Sequence, residues 1–351
     1  MSGLGVQAQG AIGVESTYGT AVTVTDRLPL KSEDFNKEFE RLTDEVLQAH
    51  ASAETSYQGT ASITGSIPLE MNYTEISDSD PFSMDTILAL ALGACKWDSA
   101  NTVNQITLDD ACSEHATILI DRDTSLWEVV SAKIDTLDLS VSVNSKLEVT
   151  AGFKAYDFLN SGLENNQAGM DGLSICTPMA ILGSHLEFYL ASDFTNALAT
   201  GDKISIEELK ISIKRNLSDN QYATPATGHT KSQLTLEHLP NGPFEVSVEI
   251  KVPRYSADTY HNYKLNDTML QAMAVFTHPT TADYFKIFLP HLRVSDATSP
   301  VEGKGMIQQN VSMIAHRRDT DNNVMKFADG STAINEPIAF ELDNDRTAVI
   351  L

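Results

Sequence analysis

"LDLSVSVNSKLEVTAGF", residues 137–153, decides the class of fold. Leu137, Leu139, Val141, Val143, Leu147, Val149, Ala151 and Phe153 fall on odd positions. Asp138, Ser140, Ser142, Asn144, Lys146, Glu148 and Thr150 fall on even ones. Successive side chains of a strand point to opposite faces, so strict period two means a sheet with one buried and one wet face. The Asn144-Ser145-Lys146 step offers a turn, and the stretch reads as a hairpin of two long strands.

The same alternation recurs outward from this hairpin. "SITGSIPLEM" puts Ile63, Ile67, Leu69 and Met71 on one face. "ELKISIKRN" sets Leu209, Ile211 and Ile213 against Lys210, Ser212 and Lys214, and "EVSVEIKVP" sets Val246, Val248, Ile250 and Val252 against Glu245, Ser247, Glu249 and Lys251. The blocks also resemble one another. "GTASITGSIPLEMNY" from Gly59 aligns with "GPFEVSVEIKVPRY" from Gly242, Ile63 on Val246 and Ile67 on Ile250. Each is followed by an Asp-Thr step, Asp85-Thr86 and Asp267-Thr268, and then by an apolar run, "ILALALGA" or "MLQAMAVF". Asp and Thr at a helix start satisfy its unpaired amides and suit its positive end, so both steps are expected to open a short helix packed on a sheet.

Three looser matches extend the repeat: "EDFNKEF" from Glu33 with "EELKISI" from Glu207, "KIDTLDLSV" from Lys133 with "FLPHLRVSD" from Phe288, and "VTAGFKAYD" from Val149 with "VSMIAHRRD" from Val311. The order strand, strand, helix, strand, strand therefore occurs twice. The expected fold is mainly β: two tandem antiparallel β-sandwich or barrel domains, each with a short flanking α-helix. Residues 1–25 hold Gly3, Gly5, Gly10, Gly13 and Gly19 without a period and are expected to form an extended arm. The two copies then cover 26–160 and 174–351, the second with additional C-terminal strands. The polar, turn-rich 161–173 joins them.

With 351 residues the chain is long enough for two domains with a core each. Its longest apolar run, Ile87 to Cys95, falls well short of a membrane span, which needs roughly 18–20 residues. The opening "MSGLGVQAQG" lacks a basic patch followed by an apolar stretch, so no secretory signal is expected. Cys95, Cys112 and Cys176 show no metal or redox spacing and read as reduced thiols. The net charge of −24 is concentrated in residues 1–180, which carry 27 acidic groups against 9 basic ones. Such a chain lacks the basic footprint needed to grip phosphates.

No motif for chemistry stands out. There is no nucleophile elbow, phosphate loop or zinc helix. "DTDNN" at Asp319–Asn323 starts like a calcium loop, but Val324 stands where glycine belongs and Gly330 where the bidentate glutamate belongs. Neither catalysis nor a cofactor or metal is expected.

The segment "IGVESTYGTAVTVTDRLPLKSEDFNKE" resembles the opening of tail tube proteins of long-tailed bacteriophages, through Glu15, Thr17, Tyr18, Gly19, Thr20 and Pro29. "GTASITGSIPLEMNY" is similar to that family's strand through Gly59, Gly65, Ser66 and Ile67, and "IEELKISIKRNLSDNQ" to the strand that opens its second half. The resemblance implies a structural virion protein, assembled in the host cytoplasm, that polymerises into stacked rings around the path of ejected DNA. A duplicated chain implies a homotrimeric ring with pseudo-hexameric walls and DNA passing without specific binding. It also implies contacts with the tape measure, terminator and distal tail proteins, and no membrane. The arm, with Gly13, Glu15, Tyr18 and Gly19, is then expected to make the ring-to-ring contact. The rival class is a carbohydrate-binding or adhesive β-sandwich of a virion or cell surface. That class favours clustered aromatics, whereas Trp97 and Trp127 lie in unlike contexts.

Overall fold

The computed structural model describes residues 8–43, 56–73, 84–111, 113–173, 179–192, 196–218, 242–301, 306–318 and 325–343. The first half forms β1 (Gln9–Glu15), β2 (Asp26–Leu28), β3 (Asn36–Thr43), β4 (Ser56–Glu70), β5 (Asn72–Tyr73), α1 (Met84–Leu92), β6 (Gly93–Asp98), β7 (Val103–Leu108), β8 (His115–Asp121), β9 (Leu126–Ser142), β10 (Glu148–Ala155) and β11 (Asp157–Leu159). After α2 (Gln167–Asp171) come β12 (Met179–Ala180), β13 (Leu186–Ala191), β14 (Lys203–Ile204), β15 (Glu208–Lys214), β16 (Glu245–Val252), α3 (Thr259–Leu265), β17 (Met269–Thr277), β18 (Tyr284–Thr298), β19 (Gln309–Ala315) and β20 (Ala339–Asp343). The 137–153 hairpin is present as the C-terminal part of β9 and most of β10.

The two halves pair their strands in the same order. In the first, β3–β4–β10–β9 run side by side; in the second, β15–β16–β19–β18 do. The long strands β9 and β18 each leave this layer by a bulge and continue into a second layer. There β8, β1 and β2 follow β9, and β17, β13 and β14 follow β18. β11 flanks β9 as β20 flanks β18.

The registers agree in detail. The irregularity that skips Asp135 between Ile134 and Thr136 returns at Ser295, between Val294 and Asp296. Ile67 faces Ala151 as Ile250 faces Val311, which bears out the alignment of those strand blocks. The other matches shift: the register sets Lys133 on Arg293 rather than on Phe288, and Lys37 on Ile213 rather than on Ile211. The second is a slip of two, which leaves an alternating strand's faces unchanged; the first is a slip of five in a segment that crosses the Ser295 bulge, and only the bulges fix the count.

The halves meet where β9 pairs with β15, Leu137 opposite Ile213, Leu139 opposite Ile211 and Val141 opposite Leu209. Those six side chains are buried, each contributing about 1.5–3 kcal/mol. The layer is continuous across this joint, so its apolar side forms one cluster running from Ile12 to Leu342 rather than one core per half. The joint is reinforced where the β6–β7 hairpin, which has no counterpart among the described residues of the second half, pairs through β7 with β20. Helix α1 is buried at all nine positions. Arg215, itself buried, donates from Nη1 to the Leu90 carbonyl of that helix at 3.0 Å. The segment expected as a linker is packed down: Asn165 accepts from Val24 N and donates to Val22 O, and Met170 is buried with Ala11, Val24 and Leu119.

Candidate assembly edges and wet face

The wet face of the eight-strand layer follows from the alternation. Glu38 and Glu40 on β3, Glu70 on β4, Asp138 on β9 and Glu148 on β10 make the first half's strand residues on this face mainly acidic beside Lys154, while Lys146 and Lys31 from the flanking turns pair with Glu70 and Glu148. In the second half Glu208, Glu245, Glu249 and Asp296 alternate with Lys210, Lys214 and Lys251. The Glu208 carboxylate accepts a hydrogen bond from Lys210 and holds its ammonium above its ordinary pKa. Lys264 donates to Asp296 at 2.7 Å and holds that carboxyl below its ordinary value. A groove of about 450 Å³ on this face, lined among others by Glu208, Lys210, Glu249, Lys251 and Met306, carries both signs of charge.

Each end of the layer presents a strand edge. Among the described residues β3 pairs with β4 alone, and β18 beyond Arg293 pairs with β19 alone. Unpaired edges expose rows of N–H and C=O groups that invite another strand. Exposed apolar side chains flank both: Leu42 and Tyr57 beside β3, and Leu265, Met269 and Val301 beside β18.

Of the residues expected in an extended arm, Gln9–Glu15 form a strand within the fold, which corrects that expectation for them; residues 1–7 lie outside the described residues. β1 pairs with β8 on one side and β2 on the other. A Cβ on Gly13 would stand 2.8 Å from the Thr23 carbonyl, so glycine there marks a close backbone approach rather than a flexible tether. Glu15, 2% exposed, accepts from Thr117 Oγ1 at 2.6 Å, from Ser131 N at 2.8 Å and from Ser131 Oγ. Tyr18 packs edge-on against His115 and Tyr156, and burial raises its phenol pKa. Gly19 sits at φ +79 and donates its N–H to Ser131 Oγ.

The Asp-Thr steps diverge. Asp85 and Thr86 lie in the first turn of α1, where Thr86 Oγ1 donates to Asp26. Asp267 and Thr268 follow α3 and lead into β17, so the expected second helix start is corrected: "MLQAMAVF" is a strand. Leu270, Ala272, Ala274 and Phe276 form its buried row, a period of two hidden because the other face is also partly apolar. Asp319–Asn323 and Cys112 and Cys176 lie outside the described residues, while Cys95 is half-buried and its thiol donates to Asn104 Oδ1. Among the described residues no group of three or more His, Cys, Asp or Glu is placed to hold a metal ion, and no helix is long and apolar enough to cross a membrane. The sequence reading missed the β18 edge and its neighbours Leu265 and Met269. The second-half bulge was the signal that would have located them.

A duplicated β-module joined through its own edge strands, with matching edges exposed at either end, is the design of a structural building block. A family model described as phage tail tube protein matches residues 5–315, and the chain belongs to that family. It is thus a structural tail protein of a phage virion, from a family that assembles into a tube in contact with other tail proteins and is not a family of enzymes. A search of curated proteins finds no match.

Proposed function

We propose that this chain carries two tube domains, residues 26–160 and 174–351, the first completed by β1, and that three copies close into a ring with six modules in its wall. Stacked rings form the conduit through which DNA leaves the virion, and the wet face of the eight-strand layer lines the bore. The observation that carries this reading is the β9–β15 pair, in which the last strand of one module already joins the first strand of the next. A head-to-tail joint of this kind closes into a ring when its rotation allows. The acidic lining repels phosphates at close range, within about 8 Å at physiological salt. The tape measure, terminator and distal tail proteins are the expected neighbours, and assembly belongs to the host cytoplasm. Electron microscopy of the purified protein tests the reading: rings or tubes are expected, and chains that stay dispersed at every concentration overturn it.

A further inference from the structure

The internal joint fixes a register that can be carried to the outer edges. Within the chain, Thr136 of β9 faces Lys214 of β15, Asp138 faces Ser212 and Leu139 faces Ile211. The bulges and shared pairings equate Thr136 with Asp296 and Asp138 with Thr298 on β18. They likewise equate Ser212 with Asn36 and Lys214 with Glu38 on β3. The internal pairs lie on strands already joined; their counterparts, Thr298 with Asn36 and Asp296 with Glu38, lie on the two strands that have an open edge among the described residues.

We infer that β18 pairs antiparallel with β3 of a second copy of this chain in the register of the internal joint, Thr298 opposite Asn36 and Asp296 opposite Glu38. This rests on the ring-forming reading above and adds its residue-level geometry. Two further features fit that register. In the internal joint the residue after Lys214 is Arg215, seated against α1 through the Leu90 carbonyl. Its counterpart in β3 is Phe39, and the helix at the equivalent place is α3, which packs on β18. There the 69% exposed Leu265 and the 42% exposed Met269 offer an apolar seat instead of a carbonyl. The exchange of Arg for Phe matches the exchange of what it meets. Val301, 73% exposed, lies just past the end of β18, beside the same edge.

The occupant is a second copy rather than an unrelated strand, because the joint already exists once in each chain. β3 and β18 lie seven strand spacings apart in one chain, so a direct link between them forms only between chains.

The test is oxidative cross-linking of the full chain carrying Asn36→Cys and Thr298→Cys, with folding checked by circular dichroism. Directly opposed positions meet the short Cβ separation a disulfide needs. The expected result is a ladder of linked oligomers absent from each variant that carries one of the two substitutions alone. Glu40→Cys with Thr298→Cys, displaced along β3 by about 13 Å, should give no ladder. As a second measurement, Leu265→Asp, at an exposed position, should abolish assembly and leave the monomer's melting curve unchanged. Rings that form without the 36–298 link, or that link at the displaced pair, overturn the register while the proposed function stands. Assembly unaffected by Leu265→Asp overturns the seat for Phe39. Chains that neither link nor assemble overturn both the register and the function.

Discussion

Glu15 separates two views of the N-terminal segment, and its removal has a calculable effect. In Glu15→Ala the Ser131 amide and the hydroxyls of Ser131 and Thr117 lose their shared acceptor inside the fold. A buried donor left without a partner costs about 1–3 kcal/mol. The hydroxyls can turn toward other acceptors, but the amide cannot, and Ser131 is held at φ +50, a conformation that non-glycine residues seldom adopt. The amide therefore sets a loss of about 1–3 kcal/mol. With a urea dependence of about 3 kcal/mol per molar, the unfolding midpoint of the dispersed monomer should fall by about 0.3–1 M. Tryptophan fluorescence and circular dichroism should report the same shift. Glu15→Gln, which keeps one acceptor oxygen, should lose less. A midpoint unchanged in Glu15→Ala, with polymerisation alone impaired, would refute the reasoning and restore the segment to an arm between rings.

Other outcomes test the joint, the lining and the acid response. Ile211→Ala opens a cavity where the halves meet and should cost about 2–5 kcal/mol of monomer stability by denaturant titration; a change under about 0.5 kcal/mol would mean the joint is not part of the core. Glu38→Gln removes one of two carboxylates placed opposite each other in the proposed seam. It should speed assembly in light scattering at low salt and lose that advantage at high salt; equal rates at low salt count against the register. Lysine at Ser140, Ser212 and Glu249 together should slow DNA ejection, and unaltered kinetics would remove the wet face from the bore. Burial first, then neighbouring His278, lowers the pKa of His185 below its ordinary 6.5. A depressed folded-state pKa means stability that is present above 6.5 and lost as pH falls through the folded value. His185→Gln should therefore narrow the stability difference between pH 7 and pH 5 relative to the parent chain, and an identical difference would exclude His185 as a contributor.

The parts of this fold legible in the sequence are those whose two faces differ strongly in polarity. β10, β15 and β16 alternate apolar and polar residues almost without exception, so their buried rows were readable residue by residue. β8 is buried along its whole length and β17 is partly apolar on both faces, and there periodicity carries little information. β1 was hidden for another reason. Gly10 and Gly13 interrupt its pattern because Leu30 and the Thr23 backbone press too closely for a side chain. The assembly edges were legible only in part. Alternation revealed β15 as a half-wet strand, but an edge is defined by what does not pair with it, which no single segment encodes. Once the bulges at Asp135 and Ser295 are known, the internal joint supplies the missing count.

Tandem fusion has a consequence for how such a protein can change. Where identical modules associate, every substitution is copied at every joint, and an unfavourable one is multiplied around the whole structure. Here the two halves of one polypeptide differ among the described residues: one bears an additional hairpin and a mainly acidic set of strand residues on the wet face, the other a mixture of signs. In the proposed ring, half of the joints would form at the high local concentration a covalent tether guarantees, commonly millimolar for short connections, whatever the abundance of the chain in its host. Selection can thus adjust one partner of each contact while the other stays fixed, a freedom that a single repeated module does not have.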